Sequence, residues 1–210
     1  MSQPSQSAPP ASPASPASPG AVDLAALQAE LLALRERVTV LEGQLGRSDA
    51  AAPADRLSMV VFSGSLDRVL AAFLIATAAA ASGMEVVMFF TFWGLGALRD
   101  PKKRVRKTLR ERLFGAMLPA GTRALPLSQL NLGGLGPRLI RYIMAEQRVA
   151  SLEEMIALAA ELNVQIYACD MSRALLGIKM EELISYPHLG ACGAATFVER
   201  AAGGKVSLFL

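Results

Sequence analysis

Leu57-Ser58-Met59-Val60-Val61-Phe62-Ser63-Gly64-Ser65-Leu66-Asp67 is the stretch that decides the fold. Six residues rich in β-formers end in a Ser-Gly-Ser turn. Ser65 then suits a helix N-cap and Asp67 the first helical turn, where a carboxylate meets the positive end of the helix. The helix is expected over 66–81, stopping at Ser82-Gly83. Met84–Phe92 follows as a nearly all-apolar run, as in a strand covered on both faces. Strand, helix and strand within about forty residues make a βαβ unit, hence a parallel sheet.

The pattern continues towards the C-terminus. Ser151 with Glu154 forms a capping box that opens a helix over 152–162. Val164–Cys169 then reads as a strand, with short helices expected over 171–176 and 180–184 around Gly177. Pro187–Gly193 reads as a turn, 195–201 as the last helix and 205–210 as the closing strand. The expected fold is a three-layer α/β/α domain over 57–210, with a parallel sheet of about five strands.

Upstream, residues 1–20 are almost all Ser, Pro, Ala and Gln, a composition that buries too little apolar surface to order itself. Leu24, Leu27, Leu31, Leu34, Val38, Leu41 and Leu45 follow the 3-4 spacing of a coiled-coil seam, placing a short helix over 21–46. Glu30 with Arg35, and Arg37 with Glu42, occupy the g and following e positions, where they attract in a parallel pair. The alternative is a single amphipathic helix lying on its own domain. Gly43, Gly46 and Pro53 suggest a linker over 47–56.

Composition narrows the chemistry. Two cysteines, Cys169 and Cys192, and one histidine, His188, cannot build a zinc site of several His and Cys ligands or a disulfide scaffold. No metal or organic cofactor is expected. A basic, apolar and cleavable leader is not visible at the N-terminus, so a cytoplasmic location is the expectation. Between Arg68 and Glu85 lie 16 uncharged residues, and Val86–Leu98 adds 13, both short of the roughly 18 that span a bilayer. The net charge of +3 is uneven: Arg99–Arg112 holds eight basic residues and two acids, and 102–112 reads as a basic helix. Such a patch suits an acidic partner or an anionic membrane surface, giving peripheral membrane association. It lacks aromatic residues for base stacking, which argues against nucleic acid.

Cys169 ends a strand and stands beside the helix start Asp170-Met171-Ser172. Free amide N–H groups there favour a thiolate, the reactive form of cysteine. The other reading is a buried cysteine packed as a small hydrophobe. Asp170 opposes ionisation by its charge, yet as an N-cap it would order the turn. Ser63-Gly64-Ser65 is an anion-loop candidate by position. His188 is a candidate proton donor if the Pro187 turn folds towards Cys169, the alternative being a lone surface histidine.

The motifs Phe62-Ser63-Gly64, Gly83-Met84-Glu85-Val86, Phe89-Phe90-Thr91-Phe92-Trp93-Gly94-Leu95, Gly133-Gly134-Leu135-Gly136, Cys169-Asp170-Met171-Ser172, Gly177-Ile178-Lys179 and Glu181-Glu182-Leu183-Ile184 belong together. With them the chain resembles the DsrE/DsrF-like family of sulfur-relay proteins, in particular its DsrE2/DsrE3-type branch. The resemblance implies a sulfur carrier or sulfurtransferase that holds a persulfide on Cys169. Rhodanese-like and TusA-like proteins are the implied partners, and homo-oligomers the implied assembly. It also implies that Trp93 and Gly133–Gly136 lie near Cys169. Cys192 replaces a glycine usual in the family, so it is either a second thiol that takes part or a change without chemical consequence. A non-catalytic docking module, using the coiled coil and the patch 99–112, is the rival reading.

Overall fold

The computed structural model describes residues 24–50, 54–103 and 105–210, in two compact units that divide after Ala51. The tail expected over 1–20 lies outside the described residues, as do the side chains of Leu24 and Leu45.

The first unit holds helix α1, Leu24–Ala50. It runs through Gly43 and Gly46 to Ala50, four residues beyond the end expected from the heptads. The seam residues Leu27, Leu31, Leu34, Val38 and Leu41 are all exposed.

The second unit is built on five parallel strands in the order β4-β3-β2-β1-β5. In chain order these are β1 (Ala54–Val61), α2 (Leu66–Ala81), β2 (Glu85–Phe90), a 3₁₀ segment Phe92–Leu98, and α3 (Leu109–Met117). They continue as α4 (Leu135–Glu146), α5 (Leu152–Glu161), β3 (Gln165–Cys169), α6 (Asp170–Leu176), β4 (Leu189–Cys192), α7 (Ala194–Ala201) and β5 (Gly204–Phe209). No helix among the described residues is long and apolar enough to cross a membrane.

Strand alternation sorts the core into two faces. Leu57, Met59, Val61, Val86, Met88, Phe90, Ile166 and Ala168 point to the side covered by α2 and α5. The small side chains Ala72 and Ala76 let α2 lie close on the sheet, and Thr77 returns its hydroxyl to the Phe73 carbonyl at 2.8 Å. Val87, Phe89, Cys169 and Cys192 point to the other side, where α7 supplies Phe197. Phe89 and Phe197 stack with ring centroids 4.7 Å apart. Among the described residues the third layer is thus one short helix.

Two expectations from sequence are corrected. Pro187–Gly193 is not only a turn: Leu189–Cys192 forms edge strand β4, paired with β3. The basic segment 102–112 is not one helix, since helix begins only at Leu109, capped by Thr108 and Glu111. The reason is where its cations go. Arg99 donates to the carbonyls of Gly115 and Leu118, and Lys103 to the Leu183 carbonyl at 2.7 Å. Lys107 pairs at 2.7 Å with Glu182, which is 3% exposed, and Arg99 approaches the same carboxylate at 3.7 Å. Much of the basic patch therefore ties residues 99–119 to the domain instead of facing outward. Lys102, Arg106 and Arg112 remain outside these contacts.

Candidate functional site

The carboxyl ends of β1, β2 and β3 lie side by side, and the loops that follow them form the site. At β2 the chain turns sharply: Phe92 adopts a left-handed φ of 44°, a conformation costing a non-glycine residue about 1–2 kcal/mol. The turn lays Trp93-Gly94 against the loop after β1. Gly94 donates to the Phe62 carbonyl at 2.9 Å. A β-carbon on Gly64 would stand 2.5 Å from the Trp93 carbonyl oxygen, and one on Gly94 would collide with the Val61 carbonyl oxygen. Both glycines are required by this close approach, which explains their place in two separated motifs.

Thr91, at the start of that turn, meets Ser172 in the first turn of α6. Their hydroxyl oxygens are 2.8 Å apart, and both side chains are buried. Between these two elements sits Cys169, 2% exposed. Burial pushes its thiol up, but the Ser172 hydroxyl, the Ser172 N–H, the Thr91 hydroxyl and the Met171 N–H together outweigh it. The thiol is left below its ordinary value. Hydrogen bonds to the charged form are what stabilise a thiolate in a covered site. One hydroxyl of the Thr91–Ser172 pair can donate to the other and still leave a proton for the sulfur.

Asp170 does not act as the N-cap. Helix α6 begins at Asp170 and Cys169 itself occupies the cap position. The Asp170 carboxylate pairs with Arg173 at 2.7 Å, which offsets the charge expected to oppose thiolate formation.

Cys192 lies on β4 directly in register with Cys169 on β3. Neighbouring residues of a parallel pair project to one face, and both sulfurs belong to the cluster of Val87, Phe89 and Phe197. Burial pushes the Cys192 thiol up; Arg200 offsets part of this, while Asp170 and Cys169 add to it. The two thiols are free and lie on opposite sides of the ordinary value.

The other sequence candidates separate from this centre. His188 stands four residues before Cys192, at the amino end of β4, about 13 Å away at strand rise. It faces Tyr186 edge-on and does not meet Cys169. Ser63-Gly64-Ser65 adjoins the Trp93 turn, but its donors are largely committed. Phe62 and Ser63 donate to the Leu210 carbonyl, the Ser65 N–H to Ser63 Oγ, and the Leu66 N–H to the Pro126 carbonyl. Gly133 and Gly134 line a different cavity of about 1020 Å³, with Leu66, Arg138 and Arg141, which Cys169 does not reach. Thr91 and Ser172 are the candidate site residues that a local reading of the sequence passes over. Both stand inside family motifs, yet nothing local joins residues 81 positions apart.

Comparison with known proteins places the chain among relatives. Residues 53–209 match the model of the DsrE/DsrF/DrsH-like family. The uncharacterized protein YrkE of Bacillus subtilis (strain 168) is 38% identical over 156 residues, covering 74% of this chain and 96% of that protein. The sulfur carrier protein DsrE2 of Allochromatium vinosum is 31% identical over 159 residues, covering 74% and 98%. A crystal structure of the ychN protein from E. coli aligns with 74% of this chain and 98% of its own, at 9% identity and a TM-score of 0.41. The chain belongs to the DsrE/DsrF/DrsH-like family.

Proposed function

We propose that this member of the family is a sulfur carrier that holds a persulfide on Cys169 and passes the sulfur between thiol partners. The observation that carries the reading is the place of Cys169: covered at the carboxyl end of β3, at the N-cap of α6, where the buried Thr91 and Ser172 hydroxyls meet. The name of the Allochromatium vinosum relative, a sulfur carrier, supports it.

The Cys169 thiolate attacks the terminal sulfur of a donor persulfide, polysulfide or thiosulfonate. An S–S bond forms to Cys169, and the bond that held the terminal sulfur breaks, its electrons leaving with the donor: a thiolate from a persulfide, a shorter polysulfide from a polysulfide, a sulfinate from a thiosulfonate. An acceptor thiolate then attacks the outer sulfur, and Cys169 departs again as a thiolate. The donors that stabilise it as an attacking anion also make it a good leaving group, since a thiol of lower pKa leaves faster. Both halves of the cycle use the same cradle.

Access depends on the first turn of α6. Cys169 is covered, but Met171 two residues on is 63% exposed, Leu175 further along α6 61% and Trp93 51%. These apolar side chains suit contact with a rhodanese-like or TusA-like partner. The docking-module reading has less support, because Arg99, Lys103 and Lys107 are spent on internal contacts.

The test is transfer of isotopically heavy sulfur from a persulfidated rhodanese to an acceptor thiol protein. Transfer through the wild-type chain and its loss in Cys169→Ser is the expected result. Equal transfer in both would refute the carrier reading.

A further inference from the structure

We infer that Cys192 is a resolving thiol: it closes onto Cys169 as a disulfide and expels the carried sulfur as hydrosulfide when no acceptor arrives. The inference rests on the carrier reading and adds a second, intramolecular fate for the persulfide.

The register carries it. Cys169 and Cys192 are directly paired residues on adjacent parallel strands, and both contribute to one apolar cluster. Adjacent strands lie about 4.8 Å apart, inside the range of roughly 4.4–6.8 Å in Cα separation that a disulfide spans. The strand pairing itself holds the two residues within that range. Strand β4 is also an edge strand, paired on one side only among the described residues.

Burial makes the pairing selective. Cys192 is 8% exposed and Cys169 2%, so bulk thiols reach the inner sulfur of a Cys169 persulfide poorly, while Cys192 is already beside it. An acceptor that docks at the exposed rim meets the outer sulfur first. The two attacks are therefore separated by geometry: a partner takes the outer sulfur and regenerates the thiol, whereas Cys192 attacks the inner one.

The step balances without any added oxidant. Cys192 loses its proton, and its sulfur bonds to the Cys169 sulfur. The bond from Cys169 to the outer sulfur breaks, and that sulfur leaves as hydrosulfide with the bonding electrons. The persulfide is the oxidant of Cys192. A thiol or dithiol reductant then returns both cysteines to the reduced state.

Burial pushes the resting Cys192 thiol up, and the charges of Asp170 and Cys169 add to this while Arg200 offsets part of it. Resolution is accordingly slower than transfer to a docked partner, and it rises with pH as Cys192 ionises.

The experiment charges the full chain with polysulfide, removes excess donor without thiol present, and follows hydrosulfide release and the non-reduced peptide map. The expected result is about one hydrosulfide per charged chain, together with a Cys169–Cys192 linked peptide. Cys192→Ser and Cys192→Ala should retain the persulfide and release hydrosulfide only on adding thiol. Charging of wild type with no release and no linked peptide overturns the inference while leaving the carrier reading intact. So does sulfur recovered on Cys192. If no variant can be charged, the carrier reading fails instead. The pair is then still tested by equilibrating the uncharged chain with oxidised glutathione: only mixed disulfides, with no Cys169–Cys192 link, would overturn the pairing.

Discussion

Replacing Ser172 by alanine removes one hydroxyl from the cradle of Cys169 and leaves the Met171 and Ser172 amides and Thr91 in place. A hydrogen bond to a charged group contributes about 1.5–3 kcal/mol. At about 1.4 kcal/mol per tenfold, the thiolate-to-thiol ratio of Cys169 falls roughly ten- to a hundredfold. The less acidic thiolate is intrinsically more nucleophilic, with a Brønsted slope of about 0.4–0.5, which recovers nearly half of that loss. The net expectation is an alkylation rate about four- to fifteenfold lower on the acid side of the profile, with its midpoint moved to higher pH. The assay is a pH–rate profile for iodoacetamide in a Cys192→Ser background, so that one thiol is read. Thr91→Val, close in shape, is the companion variant and should move the profile the same way. Ser172 is fully buried, so a urea titration accompanies each variant to show that the fold is retained. An unchanged midpoint in a folded Ser172→Ala chain would refute the assignment of the cradle.

In the wild-type chain the two cysteines should titrate apart: Cys169 gains reactivity below the pH of an ordinary thiol and Cys192 only above it, read by mass-spectrometric mapping of alkylation across pH. Simultaneous modification of both would contradict their assigned environments. Glu182→Ala leaves Lys107 and Arg99 without their buried partner and should cost about 3–5 kcal/mol in urea unfolding, whereas Glu181→Ala, at an exposed neighbour, should stay within about 0.5 kcal/mol. Equal small effects would show that Glu182 is solvated. Deleting residues 1–50 removes α1, whose seam Leu27, Leu31, Leu34, Val38 and Leu41 is exposed along one chain, and should lower the solution mass to a smaller oligomer. An unchanged oligomer by light scattering would assign assembly to the α/β unit alone.

Elements with strong local signals are legible from their own residues. The run at Leu57–Val61, the Ser151–Glu154 capping box and the strand into Cys169 all stand where their pattern puts them. What escapes a local reading is set by distant partners. Leu189-Gly190-Ala191-Cys192 has neither alternation nor bulk and becomes a strand only because β3 offers it a hydrogen-bonding edge. The basic stretch before Leu109 carries good helix formers, yet Lys103 and Lys107 reach Leu183 and Glu182 some eighty residues away, and those contacts hold it irregular. The same limit hides the cradle. Cys169 announces itself at a strand end, but Thr91 becomes part of its site only through the parallel pairing of β2 with β3.

The central claim is that Cys169 bears the sulfur. Its most direct test is the mass of the reduced chain after incubation with thiosulfate, polysulfide or a persulfidated rhodanese, followed by peptide mapping under persulfide-trapping alkylation. The account predicts a gain of one sulfur in Cys192→Ser, located on the peptide containing Cys169 and removed by reductant, the same gain in wild type until Cys192 resolves it to the Cys169–Cys192 disulfide, and no gain in Cys169→Ser. Sulfur that persists in Cys169→Ser, or a chain that stays unmodified by every donor, would contradict it.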